Sequence, residues 1–143
     1  MAGYSPNPLI KKLGYKPGSS ACLIAVPAAL ADIRDYPDFR LREAFAVPYI
    51  GAGPRRFDLI HWFETSCAQL QNNMPNIADA LKADGMLWIS WPKKASKMPT
   101  DITENVLREV ILPLGLVDVK VCAVDNVWSG LKFMWRKERR GKL

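Results

Sequence analysis

At 143 residues, with 49% hydrophobic and 24% charged side chains, the chain is long enough to bury a core of its own and too apolar to be disordered. This excludes a solvated linker and a small fold held only by disulfides or metal, and makes a single globular domain the expectation. The net charge of +6 is unevenly placed: residues 131–143 hold Lys132, Arg136, Lys137, Arg139, Arg140 and Lys142 against Glu138, a net of +5, leaving about +1 elsewhere. The basic character therefore belongs mostly to a tail, a weak warrant for a nucleic-acid surface on the body. The expected organisation is one domain over 1–135 and a frayed basic tail over 136–143.

Cysteine and histidine counts exclude more. The three cysteines are Cys22, Cys67 and Cys122, with no CxxC, and His61 is the only histidine. That is too few ligands for a zinc site and no basis for a disulfide framework. Cys22 and Cys122 lie in apolar runs and read as small core side chains. The start of the chain lacks an apolar core of signal-peptide length, and no apolar run reaches about 18 residues, so no membrane partner is expected. Reduced thiols and a cytoplasmic location are the corresponding expectation.

In chain order, 9–13 forms a helical turn closed by Gly14, and 16–19 a turn. The apolar run 20–26 reads as a strand buried on both faces and ended by Pro27. A helix starts within 28–33. Residues 35–54 are the least legible, with a possible strand over 41–47. A second buried strand spans 57–63. The hydroxyls of Thr65 and Ser66 suit a helix cap, and Leu70, Met74, Ile77 and Leu81 recur at helical spacing. Pro75 predicts a kink or restart in that helix. Asp84-Gly85 closes it, and a third strand runs over 86–91. Asp101 or Thr100 caps the next helix, with Glu104 as the reciprocal partner of Asp101. Its stripe is Val106, Leu107, Val110, Ile111 and Leu114. Strands over 117–124 and 131–135, linked through turn-formers, form an antiparallel pair. Alternating strands and helices imply an α/β, Rossmann-like, mostly parallel sheet with helices on both faces and an antiparallel C-terminal pair. The loops 27–30, 64–66, 92–100 and 125–129 then converge on one sheet edge, where such folds bind ligands.

The helix ending LKADG, the strand MLWISW, VDVKVCAV and the closing LKFMW resemble the C-terminal half of class I, S-adenosylmethionine-dependent methyltransferases, and GYKPGSSACLIAV resembles the approach to that family's first strand. The blocks AGYSPNPLIKKLGYKPG, WPKKAS with TDITE, and VKVCAVDNVWSGLKF are also similar to a family of small bacterial domains of unknown function, over most of the chain. The resemblance implies a truncated methyltransferase-like fold. The departures lie in the cofactor region. Where methyltransferases have a glycine-rich loop after the first strand, this chain has Val26-Pro27-Ala28-Ala29-Leu30, whose Cβ atoms and proline disfavour close backbone approach to a nucleoside. No acid ends the second strand, since Glu43 falls too early. His61-Trp62-Phe63-Glu64 stands where some members carry a catalytic polar-proline-aromatic signature. The expectation is therefore no cofactor, with S-adenosylmethionine possible but disfavoured.

The candidate ligand site gathers on the predicted edge. Lys93, Lys94 and Lys97, with Ser96, precede a helix N-terminus near Thr100 and Asp101, an arrangement that suits a phosphate or carboxylate. The alternative is a solvated basic loop. Trp91 and Trp128 could stack a ring or simply cover the sheet edge. Asp125, Asn126 and Ser129 could bind a ligand or make a turn. His61, on an apolar face, reads as a hydrogen-bonded core residue rather than a base, and no residue is assigned a catalytic role. The leading functional reading is a non-catalytic domain binding an anionic small molecule or a protein at this edge. The alternatives are a methyltransferase with an altered cofactor loop, or a protein that binds nucleic acid non-specifically through its tail, with steep salt dependence.

Overall fold

The computed structural model describes residues 8–48 and 53–143. Six strands form one sheet in the order β2-β1-β3-β4-β6-β5. They are β1 (Ser20–Ile24), β2 (Leu41–Phe45), β3 (Phe57–Phe63), β4 (Leu81–Pro92), β5 (Leu116–Ala123) and β6 (Trp128–Trp135). β2, β1, β3 and β4 pair in parallel, while β6 runs antiparallel to both β4 and β5. The antiparallel pair is as expected, and β6 sits inside the sheet against β4. The helices are α1 (Pro8–Leu13), α2 (Ala31–Arg34), α3 (Cys67–Ala80), α4 (Glu104–Ile111) and the single turn α5 (Lys137–Arg140) within the basic tail. Among the described residues no helix is long and apolar enough to cross a membrane.

Period-two alternation of the buried strands divides the core into two layers. Ile60, Trp62, Leu87, Ile89, Leu131 and Phe133 pack under α3 and α4 with Leu70, Met74, Ile77, Leu107 and Ile111. On the other face Ala21, Leu59, Phe63, Trp88 and Trp128 pack with Ile10 and Leu13 of α1 and Ile33 of α2. Burying each large side chain contributes roughly 1.5–3 kcal/mol. Short α1 is held by more than apolar contact, because Trp88 Nε1 donates to the Leu13 carbonyl at 2.8 Å. Gly14 then turns the chain away with φ 74°.

Several local expectations need correction. β1 ends at Ile24, two residues before the predicted Val26, and α2 is a single turn. The possible strand over 41–47 does form, as the edge strand β2, shorter by two residues and in register with β1 from Ser20↔Leu41 to Ile24↔Phe45. Helix α3 does not restart at Pro75 but continues over Cys67–Ala80. Gln71 and Pro75 are both exposed, so the carbonyl left without a donor faces water. The LKADG motif is not a helix end. α3 stops at Ala80, and 81–85 already belong to β4. There the register slips: Phe57 pairs with Leu81 but Leu59 with Met86, so five residues of β4 span two steps of β3. Gly85 makes this possible, since a Cβ there would lie 2.8 Å from Leu81 Cδ1 and 3.0 Å from the Phe57 carbonyl oxygen. The same irregularity puts Phe57 in the α3/α4 layer, away from Leu59 and Phe63. The expected Asp101–Glu104 capping box does not form. Thr103 caps α4, its Oγ1 accepting from Val106 N at 3.2 Å, and Glu104 pairs with Arg108.

His61 is fully buried, stacked on Phe63 at 4.5 Å. Its Nδ1 lies 2.6 Å from the Tyr15 hydroxyl and its Nε2 2.7 Å from Ser90 Oγ. Two hydroxyls satisfy a neutral imidazole, which needs one donor and one acceptor. They offer an imidazolium no counter-charge, and burial lowers the pKa to about 3.

Two predictions follow from this core. An unfolded chain binds a proton at His61 near pH 6.5 and the folded one does not, so stability is complete above that pH and falls below it. Between pH 6.5 and 5, before carboxylates titrate, the loss should reach about 2 kcal/mol in urea unfolding, and His61→Gln should abolish that slope; an unchanged slope in the variant would contradict the assignment. Gly85→Ala should cost about 1–3 kcal/mol, and an unshifted urea midpoint would show that β4 does not press on β3 there.

Candidate functional site

The order of strands reverses beside β1: the chain leaves β1 for β2 on one side and returns as β3 on the other. Open α/β sheets bind ligands in the crevice outside the carboxyl ends of the strands at such a point. A cleft of about 410 Å³ occupies this position, lined by Ala25, Ala46, Val47, Pro48, Phe63, Glu64, Thr65, Gln69 and Trp128. Ala25 directly follows β1 and takes a left-handed conformation, φ 57°. This costs a non-glycine residue roughly 1–2 kcal/mol, and the Ala25 amide is fixed by the Phe45 carbonyl at 2.7 Å. The lack of glycine after β1 therefore does not prevent a left-handed turn; the smallest side chain with a Cβ makes it.

Among the described residues that line the cleft, Glu64 is the only charged one. Its Oε2 accepts from the amides of Thr65 and Ser66 at 3.0 and 3.1 Å, and its Oε1 from Trp62 Nε1 at 3.2 Å. These bonds hold a carboxylate at the tip of β3 while Ser66 Oγ caps α3 by accepting from Gln69 N. Phe63 and Trp128 meet edge to face at 5.2 Å. Val47, an apolar residue 62% exposed, forms part of the rim. Small apolar surface, two aromatic rings and one carboxylate suit a cation joined to an apolar ring better than a phosphate. Glu43 stands mid-strand in β2, bound to Arg56 at 2.6 Å, and residues 46–48 after the strand include no acid.

The residues singled out in the sequence meet at the neighbouring part of the same edge, where most of their polar atoms are engaged by the chain itself. Lys93 staples two loops: its amide donates to the Val127 carbonyl and its Nζ to the Asp125 carbonyl, each at 2.6 Å. Asp125 Oδ1 accepts from the amides of Val127 and Trp128, closing the β5–β6 turn. Ser96 Oγ bonds the Lys93 carbonyl inside a 3₁₀ turn over 94–96, and Lys97 closes that turn with φ 62°. Thr100 Oγ1 donates to the Thr65 carbonyl at 2.7 Å, and Asp101 Oδ1 accepts from Cys67 N at 2.7 Å. Asp101 thus serves the start of α3, not α4. Lys94, Lys97 and Asn126 are exposed, and Ser129 is half-buried opposite Trp91 in the β4–β6 ladder.

Trp91 and Trp128 are each 8% exposed but belong to opposite faces of the sheet. They cannot sandwich one ring. Trp91 floors a separate groove of about 550 Å³ with Lys94, Met98, Pro99 and Ile102, beside the start of α4. The Thr100–Thr65 hydrogen bond lies between this groove and the β1–β3 cleft, since Thr100 lines one and Thr65 the other. Sequence reasoning located the converging loops but missed Ala25, Val47, Phe63, Glu64 and Gln69. The one available signal was Glu64, an acid placed directly after a buried strand. Among the described residues no group of three or more His, Cys, Asp or Glu could hold a metal ion.

No protein-family model and no curated protein matches the sequence, so the similarity to small bacterial domains rests on its sequence blocks alone. Solved structures do match. A SAM-dependent methyltransferase from Aquifex aeolicus superposes with a TM-score of 0.65 at 12% identity, over 90% of this chain and 88% of that one. The ribosomal protein L11 methylase of Lactobacillus delbrueckii subsp. bulgaricus gives 0.60 at 12% identity, over 90% and 75%. The structure named as a DhpI–SAH complex gives 0.60 at 8% identity, over 82% and 77%. These matches overturn the expectation of no cofactor, with S-adenosylmethionine disfavoured, because the Aquifex aeolicus protein is by name dependent on that cofactor and the DhpI structure is by name a complex with SAH. At such low identity what is shared is the fold: this chain has the α/β, Rossmann-like fold of the S-adenosylmethionine-dependent methyltransferases.

Proposed function

We propose that the protein is an S-adenosylmethionine-dependent methyltransferase whose cofactor lies in the β1–β3 cleft. The observation that carries this reading is the cleft itself: it stands at the reversal point of a methyltransferase-type sheet, turned by a left-handed Ala25 and carrying a single carboxylate. The residues present fit the group. Ala25, Ala46, Val47 and Pro48 offer apolar surface to a nucleoside, and Phe63, Trp128 and Glu64 offer a ring face and a negative charge to a sulfonium. When bound, S-adenosylmethionine supplies a methyl group on a positively charged sulfur, ready to pass to a nucleophile. The chain's own part would be to hold that sulfur beside Glu64 against the Phe63 and Trp128 rings. Neutral His61 is sealed in the core and takes no part in proton transfer.

Titration calorimetry tests the proposal. S-adenosylmethionine and S-adenosylhomocysteine should both bind, and ATP should not, because among the described residues no basic side chain lines the cleft to meet its phosphates. Val47→Arg should abolish binding while changing stability by no more than about 0.5 kcal/mol, since Val47 is mostly exposed. Absence of heat with either sulfur compound, or equal binding of ATP, would reject the reading. Glu64→Gln should weaken S-adenosylmethionine by up to about fivefold, as for an exposed charge pair worth up to about 1 kcal/mol. Neutral S-adenosylhomocysteine should be affected less; an equal loss for both would remove Glu64 as the sulfonium partner.

A further inference from the structure

The α1 side of the sheet carries a set of lysines without counter-charge. Lys120 of β5 and Lys132 of β6 are direct cross-strand partners, so their side chains leave the same face. Like charges placed opposite one another destabilise a sheet. Lys132 is half-buried, and its pKa is held below the usual lysine value, first by burial and then by the positive charges of Lys120 and Lys16. Lys120 Nζ reaches the Lys12 carbonyl at 2.9 Å, at the end of α1, whose last turn also bears Lys11.

Several cations elsewhere on the domain do have acidic partners. Arg34 pairs with Asp35, Arg56 with Glu43, Lys82 with Asp58, and Arg108 with both Glu104 and Asp118. Among the described residues, none of Lys11, Lys12, Lys16, Lys120 and Lys132 has a carboxylate within 4.0 Å. Two acids share a small cleft with Lys16. Asp58 is already held by Lys82 and Ser20, and Asp84 is exposed. Setting two lysines face to face with no carboxylate between them breaks a local rule of strand pairing, and the Lys120 bond to the Lys12 carbonyl leaves Lys132 uncompensated; such a break is expected where a surface serves a partner.

We propose that this face, formed by Lys11, Lys12, Lys16, Lys120 and Lys132, docks the phosphate backbone of a nucleic acid. Five ammonium groups spread over a helix, the turn before β1 and two strands match a run of phosphates rather than one small anion. Lys16 lies before the start of β1, at the opposite end of the sheet from the cofactor cleft, so this inference goes beyond the cofactor reading and does not depend on it.

Fluorescence anisotropy of the full chain with a labelled single-stranded RNA, and with DNA of the same sequence, tests it between about 50 and 200 mM salt. Both should bind, with affinity falling linearly on logarithmic axes. The double variant Lys120→Gln/Lys132→Gln should flatten that slope by about 1.4, two contacts at about 0.7 each for single strands. Lys132→Gln alone, which keeps the Lys120 bond to the Lys12 carbonyl, should melt at a higher temperature because a repulsion has been removed; a lower melting temperature would mark Lys132 as structural and overturn the proposal. Lys94→Gln/Lys97→Gln and Lys137→Gln/Lys142→Gln should keep the wild-type slope. No binding at the lowest salt overturns the proposal, as does an unchanged slope in the Lys120/Lys132 variant. So does loss of binding with the tail variant alone, or competition by polyglutamate equal to that of nucleic acid, which would assign the face to an acidic protein.

Discussion

The register of β4 between β3 and β6 is the constraint on which the rest depends. β4 is paired along both sides and covered on both faces, with Leu87 and Ile89 toward α3 and α4 and Trp88 toward α1. A slip of one residue would exchange those faces, taking Trp88 from its bond to α1 and Ser90 from His61. The irregularity at Gly85 sets this register, because bare backbone there lies against the Phe57 and Asp58 carbonyls. At its other end the same register places Pro92 beside Trp128 and Trp91 beside Ser129. The loops that build the site meet because two ladders bring them together.

Those loops explain why the most conspicuous polar residues are engaged internally. A loop at a sheet edge leaves many amides and carbonyls unpaired, and short polar side chains are well placed to take them. Asp125, Ser96, Thr100 and Asp101 each do so, and Lys93 joins one loop to the next through two carbonyls. They form a frame. The cleft that the frame borders is made of quieter residues: an alanine in an unusual backbone conformation, two aromatic rings and one oriented carboxylate.

The molecule thus has two chemically opposite surfaces. The cleft at the carboxyl ends of the parallel strands is apolar and acidic, while the face beside α1 is dense in lysine. The basic tail that dominates the sequence charge adds one short turn, α5, whose Arg140 Nε holds the Trp135 carbonyl. The uncompensated charge on the body is instead assembled from positions far apart in the chain, Lys12 and Lys120 among them.

By itself the sequence determined the fold class, the two-faced burial of its central strands and the edge on which the loops converge. Apolar runs of strand length, helical spacing in 70–81 and turn-formers are local signals that neighbouring residues express without outside help. Tertiary structure decided the rest: the edge position and register of β2, LKADG as strand rather than helix, the left-handed turn at Ala25, and the separation of Trp91 from Trp128 onto opposite faces. Each depends on partners distant in sequence, a neighbouring ladder or a buried contact, and pairing across such distances overrides local preference because unpaired backbone inside a core costs more than a strained or unfavoured conformation.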